Sequence, residues 1–307
     1  MTGRERLAAS LAHRTPDRVA VDFGASFVTG IHVSAVTRLR RHLLGDTKYH
    51  VKVCEPYQIL GEIDDDLLAA LPIDVLGVLP RKSIFGTEGR DWKPFTLADG
   101  TECLVPGDFN VTRAPGGGWH IYPEGDTSVL PSGYMPDGGC FFDAIIRQEP
   151  IDDDRLNPAD NLEEFKLLDE ADLEFYRGRK AWFEARRDLG ALLVIPGAAL
   201  GDIALVPAPF LKHPKGIRDI EEWYVSTVTR QDYVLEVFER QCTIAEQNLH
   251  TLPFGTPDEV YRECRERIDI FGPDGGFVFD AIHNIQGPTS LENMLANFRA
   301  ITDSARA

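Results

Sequence analysis

Apolar positions along the chain recur at two different periods, and the alternation between those periods predicts an α/β protein. Residues 4–12 place Leu7 and Leu11 on one face, which predicts a short helix stopped at Thr15-Pro16. Val19, Val21 and Phe23 alternate with Ala20 and Asp22, the period of a strand, and lead into turn residues between Gly24 and Gly30. Residues 34–44 carry Val36, Leu39, Leu43 and Leu44 at helical spacing and end at Gly45-Asp46. Helical spacing returns over residues 57–71, where Asp64-Asp65-Asp66 reads as the cap of a new helix. Residues 73–79, rich in Val and Leu, read as a buried strand.

Residues 85–147 differ in character. Turn pairs such as Asp99-Gly100, Pro106-Gly107 and Glu124-Gly125 separate short aromatic and β-branched runs, which predicts antiparallel hairpins inserted into an α/β scaffold. Helical patterns resume at 161–174 and 176–189, the second with Trp182 and Phe183 on its buried side. The all-apolar run 191–195 then reads as a parallel strand closed by Pro196-Gly197. Helices are expected at 219–228 and 231–249. Beyond them Thr256, Pro257 and Glu259 form a capping-box signature, 276–279 reads as a strand, and Ser290 caps a last helix.

Charge narrows the range of partners. The 307 residues hold 32 Lys and Arg against 49 Asp and Glu, a formal charge of −17, which argues against nucleic acid and anionic membranes. No apolar run reaches the ~18 residues of a membrane span, and the first residues lack a signal-peptide core, so a cytoplasmic location is expected. The five cysteines (Cys54, Cys103, Cys140, Cys242 and Cys264) are widely spaced, with no CxxC, HxC or HxxxH pair. That spacing argues against a disulfide scaffold and a compact metal site. Asp152-Asp153-Asp154 lacks the alternate-ligand spacing of a calcium loop, and the glycines at 24 and 30 lie too far apart for a dinucleotide fingerprint.

One segment carries a resemblance. Residues 251–293 contain GTPDEV, GPDGGFVF, HNIQ and PTSLEN in that order. This run resembles the C-terminal signature of the uroporphyrinogen decarboxylase superfamily, (β/α)8 TIM barrels that also include corrinoid-dependent methyltransferases. The Arg14-Thr15-Pro16 opening and the Glu55-Pro56-Tyr57-Gln58 segment agree with it. The hairpin region ending at Gly138 to Asp143 is similar to the methyltransferase-like branch. The resemblance implies one barrel domain over 1–307, with residues 85–147 as an insertion, and a pocket at the C-terminal ends of the strands. His283 matches the family's C-terminal histidine, with Asn284 and Gln286 beside it as substrate-binding candidates. Asp22, at the end of the first expected strand, is a candidate pocket acid, with a local loop bond as the alternative. Tyr57 and Gln58 resemble a segment lining the barrel mouth, Tyr57 as a catalytic and Gln58 as a substrate-binding candidate, with a packed tyrosine as the alternative.

The departures point the same way as the strand count. Residues 21–26 contain no arginine where the decarboxylases grip carboxylates, and counting from Pro72-Ile73-Asp74 places Arg81 near the position of their essential aspartate. The methyltransferases hold zinc through a His-x-Cys pair and a distant cysteine, and this sequence has no His-x-Cys. Only four parallel strands can be named (19–23, 73–79, 191–195 and 276–279), whereas a closed barrel needs eight. The helix 231–249 runs into Thr251-Leu252-Pro253 without a turn signal, which predicts an internal deletion of roughly a hundred residues at 248–251, half a barrel of this size. The expected fold is therefore an incomplete (β/α)8 barrel. The expected function resembles methyl transfer from a small methylated compound or corrinoid to a thiol. Uroporphyrinogen decarboxylation and a non-catalytic truncated paralogue are the alternatives. Zinc and corrinoid belong to complete relatives, and no cofactor is expected on this chain alone. The implied partners are a small-molecule substrate and a corrinoid protein, with self-association open.

Overall fold

Polar side chains set where the helices begin. In the computed structural model, which describes residues 1–162, 166–194 and 200–249 with isolated positions between 258 and 300, Thr2 caps α1 (Gly3–Leu11). The Thr2 hydroxyl accepts from the Glu5 N–H and the Glu5 carboxylate accepts from the Thr2 N–H, a reciprocal capping box. His32 caps α2 (Val33–Leu44) through Nδ1, and Gly45 ends it in the left-handed conformation with φ 66°. Strands β1 (Val51–Glu55) and β2 (Leu60–Gly61) follow, then α3 (Asp65–Ala70), capped by Asp64 as the acidic triplet predicts.

After β3 (Val75–Val78) come the hairpin strands β4 (Lys93–Thr96), β5 (Glu102–Val105), β6 (Val111–Arg113), β7 (Trp119–Ile121), β8 (Gly133–Met135) and β9 (Asp143–Ala144). The remaining elements are α4 (Glu170–Glu184), β10 (Gly190–Leu193), α5 (Ile220–Thr229) and α6 (Gln231–Leu249). Asp169 opens α4 with a second capping box, and Asp219 caps α5.

The strands form three small sheets, ordered β2-β1-β5-β4, β10-β3 and β6-β7-β8-β9, and none closes on itself among the described residues. The molecule is thus an α/β fold. The β4–β5 hairpin turns where the sequence places it, at Asp99-Gly100, and the β6–β7 hairpin turns at Gly116 to Gly118. They are not a separate excursion, because β5 pairs in parallel with β1 and so joins the insertion to the scaffold. β10 pairs in parallel with β3 from Gly190–Val75 to Leu193–Val78.

Several expectations need correction. Residues 19–23 are not a strand. Val21 exchanges a backbone bond with Asp74, but Val19 is 79% exposed, and alternation without a neighbouring strand leaves its apolar side in water. The helix read over 57–71 is confined to α3, because the Glu55 carboxylate accepts from the N–H groups of Tyr57 and Gln58 and turns the chain back into β2. Within the helix read over 161–174, residues 166–169 are not helical and α4 begins at Glu170, where Asp169 supplies the cap. Leu11 is exposed, and α1 instead buries Gly3 and Ala9. The strand at 276–279, the capping box at 256–259 and the deletion junction beyond Leu249 lie outside the described residues, apart from isolated positions.

Two apolar cores result. One gathers Val33 and Val36 of α2, Val51 and Val53 of β1, and Phe85, Phe109, Ile121 and Phe142 of the hairpin region. The other packs Trp223 of α5 on Val234 and Val237 of α6, with Val206 and Ile217. Burying each such side chain stabilises the fold by about 1.5–3 kcal/mol.

Candidate functional site

Alternation along β1 opens one side of the strand onto a concave surface. Val51 and Val53 point into the first core, so Lys52 and Cys54 face the opposite side, toward a cleft of about 690 Å³. The segment after β3 (Leu79 to Ser83) supplies a second wall, at the C-terminal end of the parallel β3–β10 pair where α/β proteins place their ligands. Trp92 and Arg90 come from the approach to β4, and Phe175, Arg179 and Trp182 from α4. Phe23, Gly24 and Phe27 complete the rim. That rim loop is held by a close approach: a Cβ on Gly77 would lie 1.9 Å from the Ala25 carbonyl oxygen, so only glycine lets the loop rest on β3.

Arg81 is the most constrained cation of the cleft. Its Nε meets Asp172 at 2.9 Å, Nη1 meets Glu88 at 2.7 Å, and Nη2 lies 3.6 Å from Asp169. Burial works against its charge, but Asp172, Glu88 and Asp169 outweigh that effect and hold the guanidinium above its ordinary value. Lys166 and the Asp172 N–H keep Asp169 down at about 2. This is a closed network, in which Arg81 has no charge to spare for a ligand.

The acids at the start of α3 are also committed. Arg40 pairs with Asp64 at 2.5 Å and Asp66 at 3.3 Å, and Arg186 pairs with Asp65. Lys52 is freer, 3.6 Å from Glu62 and 5.3 Å from the centre of the Trp92 ring. Cys54 opens onto the cleft, yet the crowding of protein around it, with Glu55 and Glu62 nearby, pushes its thiol up to about 12. It is therefore a protonated thiol at neutral pH and a weak nucleophile. Glu55, 3% exposed, is raised by burial despite its two backbone N–H donors.

The candidates expected from sequence do not gather in this cleft. Asp22 accepts from the Ala25 N–H and the Thr29 hydroxyl, both at 3.1 Å, and so serves its own loop. Tyr57 packs on Phe85 with ring centres 6.0 Å apart, and together with Gln58 it lines a separate groove beside α2. Gln58 donates to the Phe27 carbonyl at 3.1 Å. His283, Asn284 and Gln286 lie outside the described residues. Missing from the sequence-based candidates were Lys52, Cys54 and Trp92. The V-K-V-C-E alternation of β1 is the signal that carries the first two.

A zinc site needs three or four converging donors. Among the described residues no group of three His, Cys, Asp or Glu side chains is placed to hold a metal ion, so these residues do not fit the zinc centre that the resemblance implies. No described helix is long and apolar enough to cross a membrane. Comparison of the chain with family profiles, with curated proteins and with solved structures finds no match.

Proposed function

We propose that the chain binds a compact organic molecule in the cleft over β1 and β3, as a relative of the methyltransferase-like branch of the uroporphyrinogen decarboxylase superfamily. The observation that carries this reading is the charge balance of the cleft. Its lining holds six carboxylates, among them Glu62, Asp64 and Glu88, against five cations, among them Lys52, Arg81 and Arg90. Five of these charges pair with one another, and Asp64, Asp65, Asp66 and Lys82 pair with residues outside the lining. A tetrapyrrole bearing many carboxylates needs a strongly positive surface, and this balance does not supply one. A small molecule with an apolar or methylated end fits Trp92, Trp182, Phe23 and Phe27 better, with Lys52 as its polar anchor.

The methyl-transfer chemistry itself does not follow from the cleft. Cys54 is protonated, and the described residues provide no zinc site to activate it or another thiol. The reading is therefore a ligand-binding relative that keeps the substrate cleft, and a corrinoid-carrying protein remains the partner implied by the resemblance.

Trp92 and Trp182 offer an intrinsic probe. Titration with small methylated amines, thioethers and aryl methyl ethers should change tryptophan fluorescence saturably, and Trp92→Phe should remove most of the change. Zinc and a corrinoid should bind weakly. Tight binding of a polycarboxylate porphyrin, with no response to the methylated compounds, would overturn the proposal in favour of the decarboxylase reading.

A further inference from the structure

Helix α4 is tied to the rest of the molecule by polar contacts. Of its 15 residues only Asp172 and Tyr176 are buried, and among the described residues neither apolar core includes one of its side chains. At the first turn Asp172 meets Arg81 at 2.9 Å. One turn later the Tyr176 hydroxyl donates to the Val194 carbonyl at 3.1 Å. Just past the last turn Arg186 pairs with Asp65 at the start of α3. Arg186 also donates to the Trp182 carbonyl at 2.8 Å and lies 4.8 Å from the centre of the Trp182 ring.

The two ion pairs fasten opposite ends of α4, which is about 22 Å long, to different elements: Arg81 follows β3, whereas Asp65 begins α3. Arg81 and Asp65 both line the cleft, and so does the face of α4 between the ties. Phe175, Arg179 and Trp182, spaced four and three residues apart, form that face. One wall of the cleft is thus held at its ends and not packed into a core.

The two ties differ in their access to water. The Asp172 side chain is 5% exposed, and Glu88 and Asp169 surround the same guanidinium. The Asp65 side chain is 63% exposed. Breaking a buried pair leaves a charge stranded away from water, whereas an exposed pair holds weakly and is screened by salt. Tyr176 adds its bond on the Asp172 half of the helix. The Trp182 half therefore lets go first.

We propose that α4 is a lid on the cleft, hinged at the buried Arg81–Asp172 pair and latched at the exposed Arg186–Asp65 pair. Release of the latch swings Trp182 away from the cleft and admits the ligand, and closure lays the Phe175 and Trp182 rings against it. The lid rests on the reading of the cleft as a ligand site, but its movement is measured without any ligand.

The full chain labelled with fluorinated tryptophan gives fluorine signals for Trp92, Trp119, Trp182 and Trp223, assigned by single substitutions to Phe. The change of each signal between light and heavy water reads its exposure. Raising salt from about 0.05 M to about 1 M should expose Trp182 and leave Trp119 and Trp223, which pack in the two cores, unchanged. Asp65→Asn, in which Asp64 still caps α3, should expose Trp182 at low salt without changing the melting temperature. The same substitution should speed dissociation of anisole, the probe of the cleft itself, about threefold. Asp172→Asn, at the hinge, should lower the melting temperature. A Trp182 response without anisole binding supports the lid and counts against the ligand reading of the cleft. A Trp182 signal indifferent to both salt and Asp65→Asn, an equal response of Trp119 and Trp223, or equal melting losses from Asp65→Asn and Asp172→Asn would each overturn the proposal.

Discussion

Asp74 and Arg18 meet in a two-point ion pair that is closed to water on the acid side. Arg18 Nη1 lies 2.5 Å from Oδ2 and Nη2 lies 2.9 Å from Oδ1, while Asp74 is 1% exposed. Arg6 adds a third guanidinium contact at 3.1 Å, and the Val21 N–H donates at 2.9 Å. One carboxylate at the entrance to β3 thus ties down α1 and the whole segment that follows it.

Asp74→Ala leaves two guanidinium groups facing a buried void, so a loss of about 3–5 kcal/mol is expected in urea denaturation. Arg18→Ala should cost less, about 1 kcal/mol, because Arg18 is 39% exposed and Arg6 and Val21 still satisfy the carboxylate. Equal losses from the two substitutions would mean that Asp74 does not organise the cluster.

Asp74 and Glu55 should give opposite pH dependences. Burial raises Asp74, but Arg18, Val21 and Arg6 outweigh it and hold the group below its ordinary 3.8. Its contribution is therefore present above 3.8 and is lost as pH falls through the lower folded value. Glu55 is raised by burial above its ordinary 4.5, so its contribution is fully present below 4.5 and is lost as pH rises through the folded value. Urea midpoints measured from about pH 2 to 8 should lose the acid limb in Asp74→Asn and the decline above 4.5 in Glu55→Gln. A wild-type profile with no decline above 4.5 would contradict the Glu55 assignment.

Gly77→Ala tests the seat of the rim loop. With a backbone oxygen 1.9 Å from the added Cβ, the clash cannot be relieved by rotating a side chain. A loss of about 2–3 kcal/mol is expected, together with a weaker tryptophan response to cleft ligands. A neutral substitution would show that the loop moves freely.

An apolar dye should bind the native chain. Val28 is 93% exposed, Val19 79% and Val228 74%, and the cores are split between small open sheets. The missing-segment interpretation expects strong dye fluorescence and a broad thermal transition. A sharp melt without dye binding would refute that interpretation, and restoring the segment should otherwise recover metal binding.

The helices were legible because their signals are local. Gly45, Asp64 and Asp219 stop or start helices within a turn of themselves, and α6 begins at Gln231, where its periodicity predicts. Strands were less so, because a strand exists only with a neighbour. Val19 to Phe23 has the right period but forms no ladder with β3 beyond the bond at Val21, while Lys52 and Cys54 sit in a five-residue strand whose partner β5 lies some fifty positions on. The cleft was hidden for the same reason. Arg81 could be singled out by position, but Glu88, Asp169 and Asp172 reach it from separate stretches of chain. The groove likewise needs residues near 32, 57 and 141 to meet.

The parallel pairing of β10 with β3 sets an order of assembly. Val75 waits for Gly190, more than a hundred positions later, whereas β4–β5 and β6–β7 close across short turns. Long loops close slowly, so the hairpins and the first core form before β10 arrives. α1 packs on β10 and β3, and the Arg4 N–H bonds to the Asp188 carbonyl. Helix α1 is therefore among the last elements to dock, and until then the acid at the head of β3 is held by Arg18 and the Val21 N–H.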